Sequence, residues 1–130
     1  MMTSRTQKVG LSLWILMLSA CSHRIQPSPP PQAPPTTAKL PFVATAYCTK
    51  GLTASGVPVS RGVVAADPDV LPLGTVIRIT GAAGYDGTYR VLDTGALVQR
   101  RHVDVFIADC AAARQFGRRS VHVTVLRRPR

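Results

Sequence analysis

Three aspartates stand where a carboxylate has chemical work to do. Asp104 lies between Val103 and Val105 in an apolar run, where a lone charge is costly unless it is paired or faces a cleft. Asp93 closes Tyr89-Arg90-Val91-Leu92 and opens Thr94-Gly95, and Asp67 follows the apolar run Val63 to Ala66. A buried Asp beside a second carboxylate has a raised pKa, as a general acid at neutral pH requires. The alternative is that all three fix loops through backbone hydrogen bonds. The other three acids have structural readings. Asp86 precedes Gly87 in a turn, Asp109 stands where it would cap a helix, and Asp69 follows Pro68 in a tight turn. There is no Glu to compete for the acid's role. A metal cluster at Asp93, His102 and Asp104 lacks further ligands nearby, so neither metal nor cofactor is expected.

The elements that must hold these residues read as strands. Phe42 to Tyr47 alternates, Thr75 to Thr80 carries Val76, Ile77 and Ile79, and Gly81 to Gly87 forms a turn into Thr88 to Leu92. Val63 to Ala66 and Val103 to Ile107 are further short apolar strands, and Val121, Val123 and Val125 mark the last. A helix of one to two turns is predicted over Cys110 to Phe116, from Asp109 to Gly117. Six strands and one short helix predict a small, mainly β domain closed into a barrel, spanning residues 42–130.

The first forty residues read differently. Arg5 and Lys8 precede an apolar run from Val9 to Leu18, which is too short for a stable bilayer span but suits a signal-peptide core. Leu18-Ser19-Ala20-Cys21 resembles the lipobox at which bacterial lipoproteins are acylated and cleaved. Residues 1–20 are therefore read as a lipoprotein signal peptide, with Cys21 as the lipidated membrane anchor. The alternative is an ordinary signal peptide with a chance Cys. Ser22 after Cys21 favours the periplasmic face of an outer membrane in a Gram-negative cell. Residues 21–41, rich in proline from Pro27 to Pro41, predict an extended tether.

Cys48 and Cys110 remain, an even pair in an oxidising compartment, and a disulfide between them is expected. The alternative, a nucleophilic Cys assisted by His102 or His122, has no supporting motif. The chain carries sixteen Lys and Arg against six acids, a net charge of +10. That excess favours anionic envelope polymers and lipids. No nucleic-acid recognition motif is present, so nucleic acid is not expected as a partner.

The order of short motifs from Ala44 to Leu126 resembles the 3D domain, a family named for three aspartates. It occurs at the C-terminus of membrane-bound lytic transglycosylase A and in small cell-wall proteins. The pieces are Ala44-Thr45-Ala46-Tyr47, Thr53-Ala54-Ser55-Gly56, Ala65-Ala66-Asp67-Pro68, Leu71-Pro72-Leu73-Gly74-Thr75, Asp93-Thr94-Gly95, His102-Val103-Asp104-Val105-Phe106 and Phe116-Gly117-Arg118-Arg119. Asp93 and Asp104 keep the family's eleven-residue spacing. The resemblance implies a double-psi β barrel acting on peptidoglycan glycan strands; a monomer is expected. It implies that Asp104 is the acid and then the base of a lytic transglycosylase reaction, with Asp93 orienting it. Asp67, Thr94, Gly95, Ala96 and Arg100 are the implied supporting and binding residues. Ala96, Gln99 and Arg100 replace the family's usual Gly-Gly after Asp-Thr and Lys-Gly before the third Asp. A non-catalytic wall-binding or wall-loosening module is the competing reading.

Overall fold

The structure is a computed structural model that describes residues 37–130. The expected signal peptide, Cys21 and most of the tether lie outside the described residues. Six strands and one helix follow in the order β1 (Leu40–Tyr47), β2 (Val63–Ala66), β3 (Val76–Thr80), β4 (Gly87–Asp93), β5 (His102–Phe106), α1 (Cys110–Phe116) and β6 (Arg119–Arg127). The strands close into a barrel in the order β1-β5-β2-β4-β3-β6. β1 runs parallel to β5, and β2 parallel to β4, while the remaining neighbours are antiparallel. These crossed parallel pairs form the double-psi barrel.

The period-two burial expected of half-buried strands is what fills the interior. Phe42 and Ala44 of β1, Ile77 and Ile79 of β3, Tyr89 and Val91 of β4, Val103 and Val105 of β5, and Val121, Val123 and Val125 of β6 all point inward. Strand β2 is buried at every position. Its Val64 and Ala66 join the core, whereas Val63 and Ala65 face outward beneath covering loops. This explains a run with no polar alternation.

The barrel begins earlier than its sequence implies. The tether was expected to run through Pro41, yet Leu40 and Pro41 belong to β1, with Pro41 opposite His122 of β6. The Val43 N–H donates toward β5, to the Arg101 carbonyl. The Pro41 nitrogen, two residues back, faces the same side. Pairing with β5 starts only at Val43, so the missing N–H breaks no ladder bond. The last strand also exceeds the expected Val121 to Val125, because its ends pair with β1 at Arg119 and with β3 at Arg127.

Helix α1 starts as its sequence dictates. Asp109 accepts hydrogen bonds from the Ala111 and Ala112 N–H groups at 2.7 and 3.1 Å. Gly117, at φ 62°, ends the helix in a conformation that favours glycine. Ala113 and Phe116 pack on the core. A disulfide joins Cys110 at the helix start to Cys48 just after β1, across 62 residues of sequence. Asp86 organises the β3–β4 turn by accepting from the Gly81 and Ala82 N–H groups.

Candidate active site

The carboxylate site lies on the outer face of the barrel, across four neighbouring strands. Because Val103 and Val105 point inward, His102 and Asp104 point outward. Parallel pairing of β5 with β1 sets Thr45 beside Asp104 and Val43 beside His102. On its other side Asp104 is opposite Ala65 of β2. A register shift after Val64 then places Ala65 opposite Asp93 at the end of β4. Asp104, Ala65 and Asp93 therefore form a row, with the two aspartate backbones about 10 Å apart at ordinary strand spacing. The small Ala65 side chain leaves room between them. The result is an open cleft of about 220 Å³, lined among others by Tyr47, Lys50, Ala65, Asp93, Gly95 and Asp104.

The two carboxylates have unlike surroundings. Oδ1 of Asp93 accepts from the Ala54 and Thr94 N–H groups, both at 2.9 Å. Oδ2 of Asp93 accepts from the Tyr47 hydroxyl at 3.3 Å. Asp93 thus pins the loop after β1 against the end of β4, aided by the Ser55 N–H donating to the Leu92 carbonyl. Burial, and then the adjacent Asp93, push the Tyr47 hydroxyl well above the usual tyrosine range, so it stays a donor.

Asp104 accepts one hydrogen bond, from the Thr45 hydroxyl to Oδ1 at 2.7 Å. Its Oδ2 takes none among the described residues. No buried side-chain oxygen or nitrogen lacks a partner there, so Oδ2 reaches solvent. Burial pushes the Asp104 pKa above its ordinary value, Thr45 and His102 pull it back, and Asp93 adds to the rise. The net elevation favours the protonated acid. A half-buried carboxyl with one anchored oxygen and one open oxygen can give a proton to a bound ligand and take one back.

Of the residues singled out by sequence, Asp104, Asp93, Thr94 and Gly95 come together in the cleft. Asp67, Ala96 and Arg100 do not line it. Asp67 instead accepts from the Asp69 and Arg100 N–H groups, at 3.0 and 2.6 Å. It thereby holds Arg100 at φ 57°, a left-handed conformation rare outside glycine. Cys48 and Cys110 form the disulfide, so neither thiol is free to act as a nucleophile. Among the described residues no group of three or more His, Cys or Asp is arranged to hold a metal ion.

Sequence reasoning missed Thr45, Tyr47, Lys50 and Ala65 as site residues. The available signal was the polar half of the first strand. Thr45 and Tyr47 alternate with the apolar Ala44 and Ala46 and so share one outward face.

A small double-psi barrel with an aspartate cleft across its parallel strand pairs is the class that fold and site define. Residues 62–127, just over half of the chain, match the 3D domain, and the chain belongs to that family. It is 32% identical over 97 residues to the cell wall-binding protein YocH of Bacillus subtilis, covering 68% of this chain and 32% of YocH. The chain thus spans about a third of that relative's length. Among solved structures, the Streptomyces papain inhibitor shares the fold at a TM-score of 0.56 and 22% identity, over 73% of this chain and 100% of the inhibitor. MltA from Escherichia coli, a lytic transglycosylase, overlaps at a TM-score of 0.49 and 24% identity, over 63% of this chain and 29% of MltA.

Proposed function

We propose that the protein is a peptidoglycan-active lipoprotein that cleaves glycan strands between N-acetylmuramic acid and N-acetylglucosamine. The observation that carries this reading is Asp104, an acid of raised pKa that lines an open cleft with Oδ2 free for a ligand. Asp104 protonates the glycosidic oxygen, and its carboxylate then takes the proton of the muramyl 6-hydroxyl as that oxygen attacks the anomeric carbon. The product is a 1,6-anhydro sugar. No water is activated, so a single acid/base suffices. Asp93, tied down by three donors, shapes the opposite wall. Its charge also adds to the rise in the Asp104 pKa, after burial.

The family and its cell wall-binding relative support a place in the cell envelope. In this reading Cys21 carries the lipid, the chain from Cys21 to the start of β1 at Leu40 is the tether, and the protein works as a monomer on the glycan. The second reading is a wall-binding module without catalysis. It is favoured by the name of the relative and by Leu52 and Leu97, large apolar side chains exposed on loops.

Digestion of purified sacculi, with products read by mass spectrometry, separates the two. Anhydromuramyl products from wild type and none from Asp104→Asn are expected. Pelleting of both proteins with sacculi, without products, would replace cleavage by binding.

A further inference from the structure

Asp104 is one end of a longer chain of hydrogen bonds. The Thr45 hydroxyl lies 2.7 Å from Asp104 Oδ1 and 2.8 Å from His102 Nε2. The other ring nitrogen of His102, Nδ1, lies 3.1 Å from the Leu97 carbonyl. All three side chains are half-buried, on adjacent strands whose register is fixed by the β1–β5 pairing.

The protons in this chain can be counted. A carbonyl only accepts, so Nδ1 must carry a proton. Thr45 has one hydroxyl proton. When Asp104 is a carboxylate that proton goes to Oδ1, and Thr45 then offers only lone pairs to His102. The 2.8 Å contact is a hydrogen bond only if Nε2 is also protonated. With no proton on Oδ1, whether Asp104 is ionised or protonated on Oδ2, the geometry is satisfied by an imidazolium. A neutral ring would set two acceptors against each other, either at Thr45 or at Leu97.

We propose that Thr45 and His102 are positioning residues that form a donor chain onto Asp104 Oδ1, stabilising its carboxylate as the proton leaves and reserving Oδ2 for the substrate. The inference rests on the reading of Asp104 as the acid. When Oδ2–H breaks and the proton bonds to the leaving oxygen, the Thr45 O–H bond strengthens its donation to Oδ1. His102 Nε2–H strengthens its donation to Thr45. The protons can follow one place along the chain, which moves positive charge toward the new carboxylate. They return when Oδ2 takes the proton of the attacking hydroxyl, so the cycle ends with every proton restored.

The other ionisable groups around the cleft do not compete for this chain. Tyr47 of β1 donates to Asp93 of β4. Lys50 lines the cleft without a hydrogen bond to Thr45, His102 or Asp104 among the described residues. Leu97 is 89% exposed, so this residue contributes its backbone carbonyl rather than its side chain. Thr45 appears in sequence as an unremarkable strand residue, and His102 as a failed metal ligand. Only the register joins them to Asp104.

The test is nitrogen and carbon NMR on the full-length chain, with sacculus kinetics alongside. At a pH where the Asp104 carboxyl signal reports a carboxylate, both ring nitrogens of His102 are expected to be protonated. In Thr45→Val the Nε2 proton is lost under the same conditions, and Thr45→Ser restores it. Thr45→Val loses the hydrogen bond to the forming charge and lowers kcat about 10- to 100-fold, and His102→Asn, one bond further from that charge, lowers it less, with KM within about twofold in both. Thr45→Ser recovers most of the rate. A bare Nε2 beside an ionised Asp104 in the wild type overturns the proposal. So does a Thr45→Val protein with unchanged ring state and rate. If the ring behaves as expected but wild type releases no anhydromuramyl products, the chain stands and the cleavage reading falls.

Discussion

Reducing the Cys48–Cys110 disulfide should cost stability first and the cleft second. The bond closes 62 residues of sequence. Confining a loop of that length removes enough entropy from the unfolded chain to be worth about 4 kcal/mol in the chain-entropy account. For a domain of this size, each kcal/mol moves Tm by about 4–8 °C, so Cys48→Ser with Cys110→Ser should lower Tm on the order of 20 °C. The effect should not stop at stability. Cys48 directly follows Tyr47, whose hydroxyl reaches Asp93, and precedes Thr49 and Lys50 in the cleft wall. Scanning calorimetry of wild type and double variant measures the first effect. Sacculus pelleting well below the lowered Tm measures the second, where weaker binding is expected from a still-folded protein. A fall of less than about 5 °C would refute the reasoning, because the bond would then restrict the unfolded chain far less than a closed loop of this length requires.

Asp104→Asn should leave the fold intact, since Asn keeps an oxygen for the Thr45 hydroxyl; circular dichroism should show an unchanged spectrum. The raised folded pKa of Asp104 means that the native state holds its proton more tightly than the unfolded chain. That stabilising contribution is present below the ordinary carboxylate value and is lost as pH rises through the folded one. Asp104→Asn should therefore gain stability relative to wild type between pH 4 and pH 7, read as urea midpoints. Asp109→Ala removes the helix cap and should cost about 1 kcal/mol by urea unfolding, with sacculus binding unchanged. Gly95→Ala would set a Cβ at 2.9 Å from Val98 Cγ2; the displaced Val98 should narrow the cleft and weaken sacculus pelleting severalfold.

Most strands were legible because their inward residues alternate. Ile77 with Ile79, Val103 with Val105, and Val121 through Val125 announce both strand and face. The Asp109 cap and Gly117 stop fixed α1 to the residue. Asp104 was legible for a related reason, as the polar residue on the outward beat of an apolar strand. The partners of these elements were not. Parallel pairing of β1 with β5 joins segments almost sixty residues apart, and no local pattern records it. Thr45 consequently looked like strand filler, and Ala65 like one more apolar residue of β2. Asp67 illustrates the reverse. Its place among the three aspartates suggested a share in the cleft, but its carboxylate is spent on backbone N–H groups of a loop. A carboxylate that caps a turn and one that faces a ligand differ in their neighbours, not in their own residue.

The segment matching the family begins at residue 62, yet β1 ends at Tyr47 and sits between β5 and β6. A fragment cut at the family boundary would lose the stave that closes the barrel. It would expose the long edge of β6 and the edge of β5, both ready to pair with another chain. It would also lose Thr45, Tyr47 and Cys48 together. Such a fragment should clump rather than fold, and its inactivity would say nothing about the three aspartates it still carries.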